Sequence, residues 1–281
     1  MPSIESLVAD VNHVLQTGEG YTEEVAEWVS EDVRKSLLRQ MKKREDKGSL
    51  RLSGLGTKCE RKLWYTVNKA THREKLTAST LNKFIFGDLT ESHIIGLCMA
   101  AGHKVEGMQD QLNVEGVLGH RDCLIDGMLI DVKSASSFSF RKFKEGKLRE
   151  EDPFGYISQL SSYLYGSQDD PLVTEKNKAG FLAFDKQFGH IALDIYDLSP
   201  EVSTKKAEVE NCKSVVKMGK PPAREYEPEP DGKSGNTKLC TQCSYCDFKK
   251  ICWPDMRTFI YKGGPRYLIN VAREPRDVFE L

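Results

Sequence analysis

The sequence predicts an α/β protein with a central mixed β-sheet flanked by helices. Segments with helical periodicity come first, short apolar strand-like runs follow, and helices then alternate with strands. The Asp-Gly pair in Ile125-Asp126-Gly127-Met128 is typical of a tight hairpin turn. With 281 residues, of which 39% are hydrophobic, the chain is long enough for one large domain.

Each element of this fold has its own local signal. Helical spacing of apolar residues marks the early helices, glycine at position 102 marks the end of the longest one, and alternation marks the strands. The Pro- and Gly-rich stretch 221–238 is expected to be a linker or loop. The expected elements are helices over 25–44 and 77–101, strands over 104–114, 117–126 and 128–134, a helix over 154–165, a hairpin over 179–184 and 190–194, and a helix over 200–218.

Composition limits the classes of function and the location. The formal net charge is −1, so the protein lacks a general basic coating, although one basic face can still bind nucleic acid. No apolar run is long enough to span a bilayer and no secretory signal is expected, so no membrane partner is predicted. Eight cysteines without an export signal favour a reducing compartment such as the cytoplasm, and metal or cluster binding rather than disulfides.

Two aspartates and a lysine form the strongest chemical pattern. Asp122 ends one expected strand, and the next strand contains Asp131-Val132-Lys133. Carboxylates at neighbouring strands can hold Mg²⁺ or Mn²⁺, with the carbonyl of Val132 as a further ligand. Because alternate residues of a strand share a face, Lys133 can reach the same site as Asp131. This arrangement is typical of metal-dependent phosphodiester hydrolysis.

The long helix offers a third metal ligand. Glu91 and His93 are two positions apart on it, so they face different directions. Glu91 is preferred because Mg²⁺ favours oxygen ligands, and His93 is the alternative. His120, expected on the same strand face as Asp122, is a second alternative ligand or a substrate contact.

A basic and aromatic segment follows the lysine strand. Residues 136–144 interleave three phenylalanines with Arg141, Lys142 and Lys144. Such a pattern suits a path for single-stranded DNA, in which rings stack on bases and cations meet phosphates. An amphipathic segment with buried phenylalanines explains it equally well.

Four closely spaced cysteines near the C-terminus indicate a metal or cluster site. The pattern is Cys240-x₂-Cys243-x₂-Cys246-x₅-Cys252. A zinc ribbon normally has two separated knuckles, so this single run is more typical of iron–sulfur ligation. Cys98, Cys123 and Cys212 are expected to be small core residues.

The ordered acidic, lysine, glutamine and tyrosine positions resemble those of a known superfamily. They are Glu91, Asp122, Asp131-x-Lys133, Gln159 and Tyr163. The set resembles the motifs of RecB-like nucleases of the PD-(D/E)XK superfamily. The resemblance implies a restriction-endonuclease-like core in which the acids bind metal and the lysine assists hydrolysis. It also implies that Gln159 and Tyr163 support the site and the DNA, and their i, i+4 spacing puts them on one helical face.

The cysteines add a second resemblance. Cys59 lies far upstream in Thr57-Lys58-Cys59-Glu60-Arg61, and with the C-terminal thiols it resembles the split [4Fe–4S] site of AddB-type and CRISPR-associated adaptation nucleases. The implied ligands are Cys59, Cys243, Cys246 and Cys252, which join the N- and C-terminal parts of the domain. Cys240 is the alternative to Cys59.

These resemblances divide the chain and define the expected function. They imply an N-terminal helical segment over 1–52, a nuclease domain with its cluster over 53–255, and a C-terminal tail over 256–281. The expected activity is metal-dependent DNA exonuclease action at single-stranded or processed ends, beside prokaryotic or phage recombination and repair proteins. Two alternatives are a non-catalytic DNA-binding adaptor subunit and a zinc-binding nucleic-acid protein.

Overall fold

A computed structural model describes residues 2–42 and 48–281 of the chain. Within these residues the protein has a mixed α/β fold with a central mixed sheet flanked by helices. The helices are α1 (Leu7–Thr17), α2 (Glu23–Met41), α3 (Leu52–Leu55), α4 (Glu60–Asn68), α5 (Ala78–Ala100), α6 (Ser137–Lys144), α7 (Tyr156–Gly166), α8 (Ser199–Val216), α9 (Thr241–Ser244) and α10 (Lys249–Cys252). The strands are β1 (Val105–Glu106), β2 (Gln111–Val114), β3 (Val117–His120), β4 (Cys123–Ile125), β5 (Met128–Ala135), β6 (Lys178–Asp185), β7 (Ile191–Asp197), β8 (Glu229–Pro230), β9 (Thr237–Lys238), β10 (Arg257–Tyr261), β11 (Gly264–Asn270) and β12 (Phe279–Glu280).

The central sheet has the strand order β1-β4-β5-β6-β7. Its neighbours pair antiparallel except β5 and β6, which are parallel, with Asp131 opposite Phe181 and Lys133 opposite Ala183. A parallel pair needs a crossover connection, and helices α6 and α7 provide it. The crossover therefore carries α6 and α7 past the end of the strand that bears Asp131 and Lys133.

The two faces of the sheet bury different cores. Leu129 and Phe181 pack with residues of α7 and α8 on one face. Ile130 and Val132 pack with residues of α1 and α5 on the other face. Because side chains alternate along a strand, Asp131 and Lys133 belong to the α7 face.

Helix α5 and the Asp-Gly hairpin agree with the sequence. Thr77 caps α5 by accepting a hydrogen bond from the backbone N–H of Thr80 at 3.2 Å, and Gly102 follows its end with a φ of 81°. At the β4–β5 turn, Asp126 and Gly127 have φ values of 50° and 79°, and Ile125 pairs with Met128. Positive φ at both central residues is the geometry that favours Asp-Gly in tight hairpins.

The expected strands over 104–114 and 117–126 are each broken in two. A turn around residues 107–109 separates β1 from β2, and the irregular residues 121–122 separate β3 from β4. Strands β2 and β3 form a two-stranded sheet, to which Arg51 adds a single bridge at Leu118. The expectation that His120 and Asp122 share one strand face is therefore wrong, because β3 ends at His120. Apolar alternation continues across both breaks, so periodicity alone did not reveal them.

The N-terminal helices belong to the body of the fold. Helices α1 and α2 pack on α5, and the expected helix over 25–44 ends at Met41; Arg44 lies outside the described residues. No helix in residues 2–42 or 48–281 is long and apolar enough to cross a membrane.

The C-terminal part forms a second sheet with the order β12-β10-β11-β9-β8. The expectation of a tail over 256–281 is therefore corrected, because it contains three strands of this sheet. The linker or loop expected over 221–238 is mostly irregular, but it also contains β8 and β9. The strands are short and only partly buried, and β10 and β11 join at a tight Lys262-Gly263 turn. Short, half-exposed strands give a weak alternation signal.

Candidate metal centre and thiol cavity

Strand β5 places an acid and a base side by side on the α7 face of the sheet. Asp131 is 1% exposed and forms an ion pair with Lys133. The Lys133 ammonium also lies 5.1 Å from the centre of the Tyr156 ring, at the start of α7. Burial restricts both side chains, so the lysine is held beside the acid.

Asp122 reaches the same strand from the break between β3 and β4. Its Oδ2 accepts a hydrogen bond from the backbone N–H of Val132 at 2.9 Å. The interruption between β3 and β4 allows this contact, because in a continuous strand the backbone at residue 122 would be part of the strand ladder. Asp122 therefore lies directly against the segment that contains Asp131 and Lys133.

Glu91 approaches from α5, and the two histidines do not. The Glu91 carboxylate accepts a hydrogen bond from the Gln109 amide at 2.7 Å and is close enough to Asp131 for their charges to interact. His93 and His120 are both exposed. The helical geometry thus separates Glu91 from His93, as the two-residue spacing predicts.

The three acids form an electrostatically unfavourable group. Burial and the nearby Asp131 raise the pKa of Glu91 to about 7. Burial, Asp131 and Glu91 raise the pKa of Asp122 well above its ordinary value. Burial alone would lower the pKa of Lys133, but Asp131 and Asp122 outweigh it and raise that pKa. Lys133 therefore stays protonated at neutral pH.

Gln109 is a site residue that the sequence analysis missed. It has a φ of 55°, in the left-handed region that few residues other than glycine adopt. In this conformation its N–H donates to the carbonyl oxygen of Asp122 at 3.0 Å while its amide holds Glu91. Backbone strain of this kind often accompanies functional sites. Only the turn-forming Gly107 and Asp110 around it gave a hint in the sequence.

Arg121 is a second residue that the sequence analysis missed, and it holds the irregular segment between β3 and β4 in place beside Asp122. It is 1% exposed and forms ion pairs with Asp110 at 2.7 Å and Asp170 at 2.6 Å. It also donates to the Gly107 carbonyl at 3.1 Å, and a Cβ at Gly107 would lie 2.4 Å from its guanidinium. The buried guanidinium thus locks the two turns on either side of the acidic group.

The donor set fits a hard divalent cation. Glu91, Asp122 and Asp131 supply carboxylate oxygens, the Val132 carbonyl is adjacent, and mutual repulsion of the acids would be relieved by a positive ion. Among the described residues, no three His, Cys, Asp or Glu side chains already form a metal-binding group. Here each acid instead contacts one protein donor. Glu91 contacts the Gln109 amide, Asp122 contacts the Val132 N–H, and Asp131 contacts Lys133.

Helix α7 closes the site on the lysine side. The Gln159 amide donates to the Tyr163 hydroxyl at 2.9 Å, so the two residues share one helical face as their spacing predicts. Burial and the nearby Asp131 raise the pKa of Tyr163 to about 12. Tyr163 therefore remains a neutral hydroxyl beside the acids.

Helix α6 divides the basic and aromatic segment between core and surface. Phe140 and Phe143 are buried in the core, whereas Phe138 is 66% exposed with Arg141 and Lys142 near its ring. Lys142 is bound to Glu151 by an ion pair at 3.1 Å, but Arg141 and Lys144 are exposed. The amphipathic interpretation is therefore confirmed for Phe140 and Phe143, and the DNA path stays a prediction.

The predicted cluster ligands meet in one cavity. Cys59, Cys243, Cys246 and Cys252 all line a cavity of about 110 Å³ between α4 and the C-terminal segment. All eight cysteines of the chain are free thiols. Cys240 is buried beside Cys243, but it does not belong to the lining.

Apolar and charged contacts hold the two walls of this thiol cavity together. The rings of Tyr65 and Phe248 lie 5.7 Å apart, and Lys249 pairs with Glu74 at 2.5 Å. Burial raises the pKa of Cys59 and raises that of Cys246 to about 11, while the charge of Lys62 opposes both shifts. Partly buried thiols in a lining that also holds cationic side chains suit ligation by a positively charged metal group, which stabilises thiolates.

Comparison with solved structures gives a distant likeness. No protein-family profile and no curated protein matches the sequence. Among solved structures, the crystal structure of SSO0001 is similar with a TM-score of 0.43 and 14% sequence identity. The alignment covers 81% of this chain and 96% of that chain.

Proposed function

We propose that this protein is a metal-dependent DNA exonuclease built on a restriction-endonuclease-like core. The observation that supports this most strongly is the meeting of Glu91, Asp122, Asp131 and Lys133 beside β5. These are the residues whose order resembles that of RecB-like nucleases. Mutual repulsion among three partly or fully buried acids is difficult to explain by stability alone, because unpaired buried charge is destabilising.

Each residue has a distinct role in the proposed reaction. Glu91, Asp122 and Asp131, with the Val132 carbonyl, would hold Mg²⁺ or Mn²⁺. When bound, such an ion polarises the phosphate and lowers the pKa of water. In the hydrolysis, a water oxygen bonds to phosphorus, the bond to one deoxyribose oxygen breaks, and that oxygen takes a proton.

Lys133 acts as a fixed positive charge. Its raised pKa means that it has no free lone pair to remove a proton from water. Its ammonium, held between Asp131 and the Tyr156 ring, would instead stabilise the negative charge that develops on the phosphate. Gln159 and Tyr163 would orient the site from α7.

We further propose that the thiol cavity binds a [4Fe–4S] cluster through Cys59, Cys243, Cys246 and Cys252. Support comes from their common cavity and from their soft thiol donors. The cluster would connect α4 to the C-terminal segment and stabilise the fold. A brown protein absorbing near 400 nm is expected, whereas a zinc protein would be colourless.

The test is cleavage of a labelled oligonucleotide by purified protein in Mg²⁺ and in Mn²⁺. Lys133→Ala and Asp131→Ala should each lower the rate by roughly 10²- to 10⁴-fold. His93→Ala, which removes an exposed side chain, is the matched control and should cleave like the wild type. Full activity in either site variant would refute this assignment. Binding without cleavage in every metal would instead favour the adaptor function.

A further inference from the structure

An aromatic path leads from the candidate metal centre to the rim of the thiol cavity. Tyr156 lies beside Lys133, Phe154 lies next along the path, and Tyr245 lies beyond it. The ring centres of Tyr156 and Phe154 are 5.8 Å apart, and those of Phe154 and Tyr245 are 6.0 Å apart. We call these three residues the aromatic path.

The two outer rings of the path are exposed and adjacent to each other. Phe154 is 47% exposed and Tyr245 is 71% exposed. Large apolar rings are normally buried, so two adjacent exposed rings indicate a binding surface. Tyr156 is half-buried, and exposure therefore increases with distance from Lys133.

The backbone fixes this path rather than leaving it in a loose loop. Asp152 accepts hydrogen bonds from the N–H groups of Gly155 at 2.8 Å and Ile157 at 2.9 Å, which locks the turn between Phe154 and Tyr156. Gly155 has a φ of 77° and packs directly on Gly56, where a Cβ on either residue would overlap the other's carbonyl oxygen. Tyr245 is held at the end of α9 by a bond from its N–H to Thr241 at 3.2 Å.

The charge around the outer end suits a polyanion. Phe154 and Tyr245 share the cavity rim with Arg61 and Lys62, and none of the described residues that line it is acidic. Rings spaced along a basic surface are the usual arrangement for binding single-stranded nucleic acid, because every base offers a face for stacking. Inside a duplex both faces of each base are already stacked, so an unpaired strand offers far more free base faces to such a surface.

We propose that the aromatic path binds the bases of single-stranded DNA and guides the strand to the metal centre. This inference rests on the proposed nuclease function, whose substrate it specifies as an unpaired strand. The thiol cavity thereby gains a second role, since its C-terminal wall positions Tyr245.

Binding is measured separately from hydrolysis, so the two proposals can fail independently. An oligonucleotide with 2-aminopurine at successive positions reports stacking by fluorescence quenching, with Ca²⁺ in place of Mg²⁺. Phe154→Ala and Tyr245→Ala should each weaken single-strand binding by roughly 5- to 150-fold and relieve the quenching. Phe154→Tyr and Tyr245→Phe should keep both the single-strand affinity and the fluorescence quenching of the wild type. If the wild type never cleaves but shows this pattern, only the nuclease proposal fails.

Matched variants guard against loss of packing. Phe279→Ala removes a ring that is 67% exposed on β12 and should bind like the wild type. Melting temperature and the absorbance near 400 nm verify that Tyr245→Ala keeps its fold. The inference is overturned if Phe154→Leu binds as well as the wild type, since packing alone would then suffice. It is also overturned if the alanine variants lose duplex binding equally, or if RNA of the same sequence binds more tightly than DNA.

Discussion

The acidic group on β5 and the thiol cavity differ in how the chain builds them. The acidic group comes from elements of the central sheet and from α5, and it concentrates charge where burial is unfavourable. The thiol cavity comes from short helices that are distant in sequence, and apolar contacts such as Tyr65 with Phe248 hold its walls together.

Under the proposed function, this difference separates a region for chemistry from a region for stability. Like charges brought together destabilise a fold, and Lys133 forms an ion pair with only one of the three acids, so the acidic group is best explained by the cation that we propose it binds. Thiols that join distant parts of the chain stabilise it once they share a metal group. Removing an acid should therefore lower activity while increasing metal-free stability, whereas removing a cluster thiol should lower stability.

The largest expected effect is on the thiol side. Cys59→Ala should abolish the absorbance near 400 nm and lower the melting temperature by on the order of 10 °C, because a long-range crosslink is lost. Cys240→Ala is the matched variant, and it should keep the absorbance because Cys240 does not line the cavity. The reverse result, with colour lost only in Cys240→Ala, would make Cys240 the fourth ligand.

On the acidic side, Gln109→Ala should weaken Mg²⁺ binding by about 10- to 100-fold, since it orients Glu91 and contacts the Asp122 backbone. The measurement is the cleavage rate as a function of Mg²⁺ concentration, and saturating Mg²⁺ should restore most of the rate. Gln111→Ala, an exposed substitution on the neighbouring strand β2, serves as control. Equal Mg²⁺ dependence of both variants would exclude Gln109 as a positioning residue.

Glu91→Gln should stabilise the metal-free protein at pH 8. The folded pKa of Glu91, about 7, lies above its ordinary value of 4.5, so the folded state binds the proton more tightly than the unfolded chain. Stability is therefore lost as pH rises from about 4.5 through 7. The substitution should add up to about 3 kcal/mol at pH 8 and little at pH 4.5.

Urea unfolding at the two pH values, with the protein treated with a chelator of Mg²⁺, measures this gain. Saturating Mg²⁺ should reverse the order, because it stabilises the wild type more than the variant. A destabilised Glu91→Gln protein at pH 8 would mean that the acidic group is not under electrostatic strain.

The smallest effect concerns the surface of α6. Arg141→Ala and Lys144→Ala should each reduce, by about one, the slope of the logarithm of the DNA-binding constant against the logarithm of salt concentration. Each would remove one proposed phosphate contact. Lys142→Ala should change the slope less, since Glu151 already neutralises Lys142. Three equal slopes would show that the ion pair does not distinguish these residues.

The sequence predicted the central architecture because its signals are local. The Thr77 cap, Gly102 and the Asp126-Gly127 turn act within a few residues, and all three lie where expected. The interruptions of the strands at residues 107–109 and 121–122 could not be predicted from the sequence, because the tertiary ion pairs of Arg121 stabilise them. The second sheet escaped detection because its strands are short and half-exposed.

The candidate site was predictable in its residues and less so in its supports. Glu91, Asp122, Asp131 and Lys133 follow from motif order, whereas Gln109 acts through a strained backbone conformation that its residue type does not signal. Phe138, Phe140 and Phe143 looked alike in the sequence. Only packing divides them into one exposed ring and two core residues.

Titration of the protein with Mn²⁺ by calorimetry tests the central claim most directly. The claim is that the acidic group beside β5 binds a divalent cation and that the thiol cavity does not take part in binding this cation. The wild type and Cys240→Ala should show the same saturable binding, and Asp131→Asn should show none. Unchanged Mn²⁺ binding in Asp131→Asn would contradict the account.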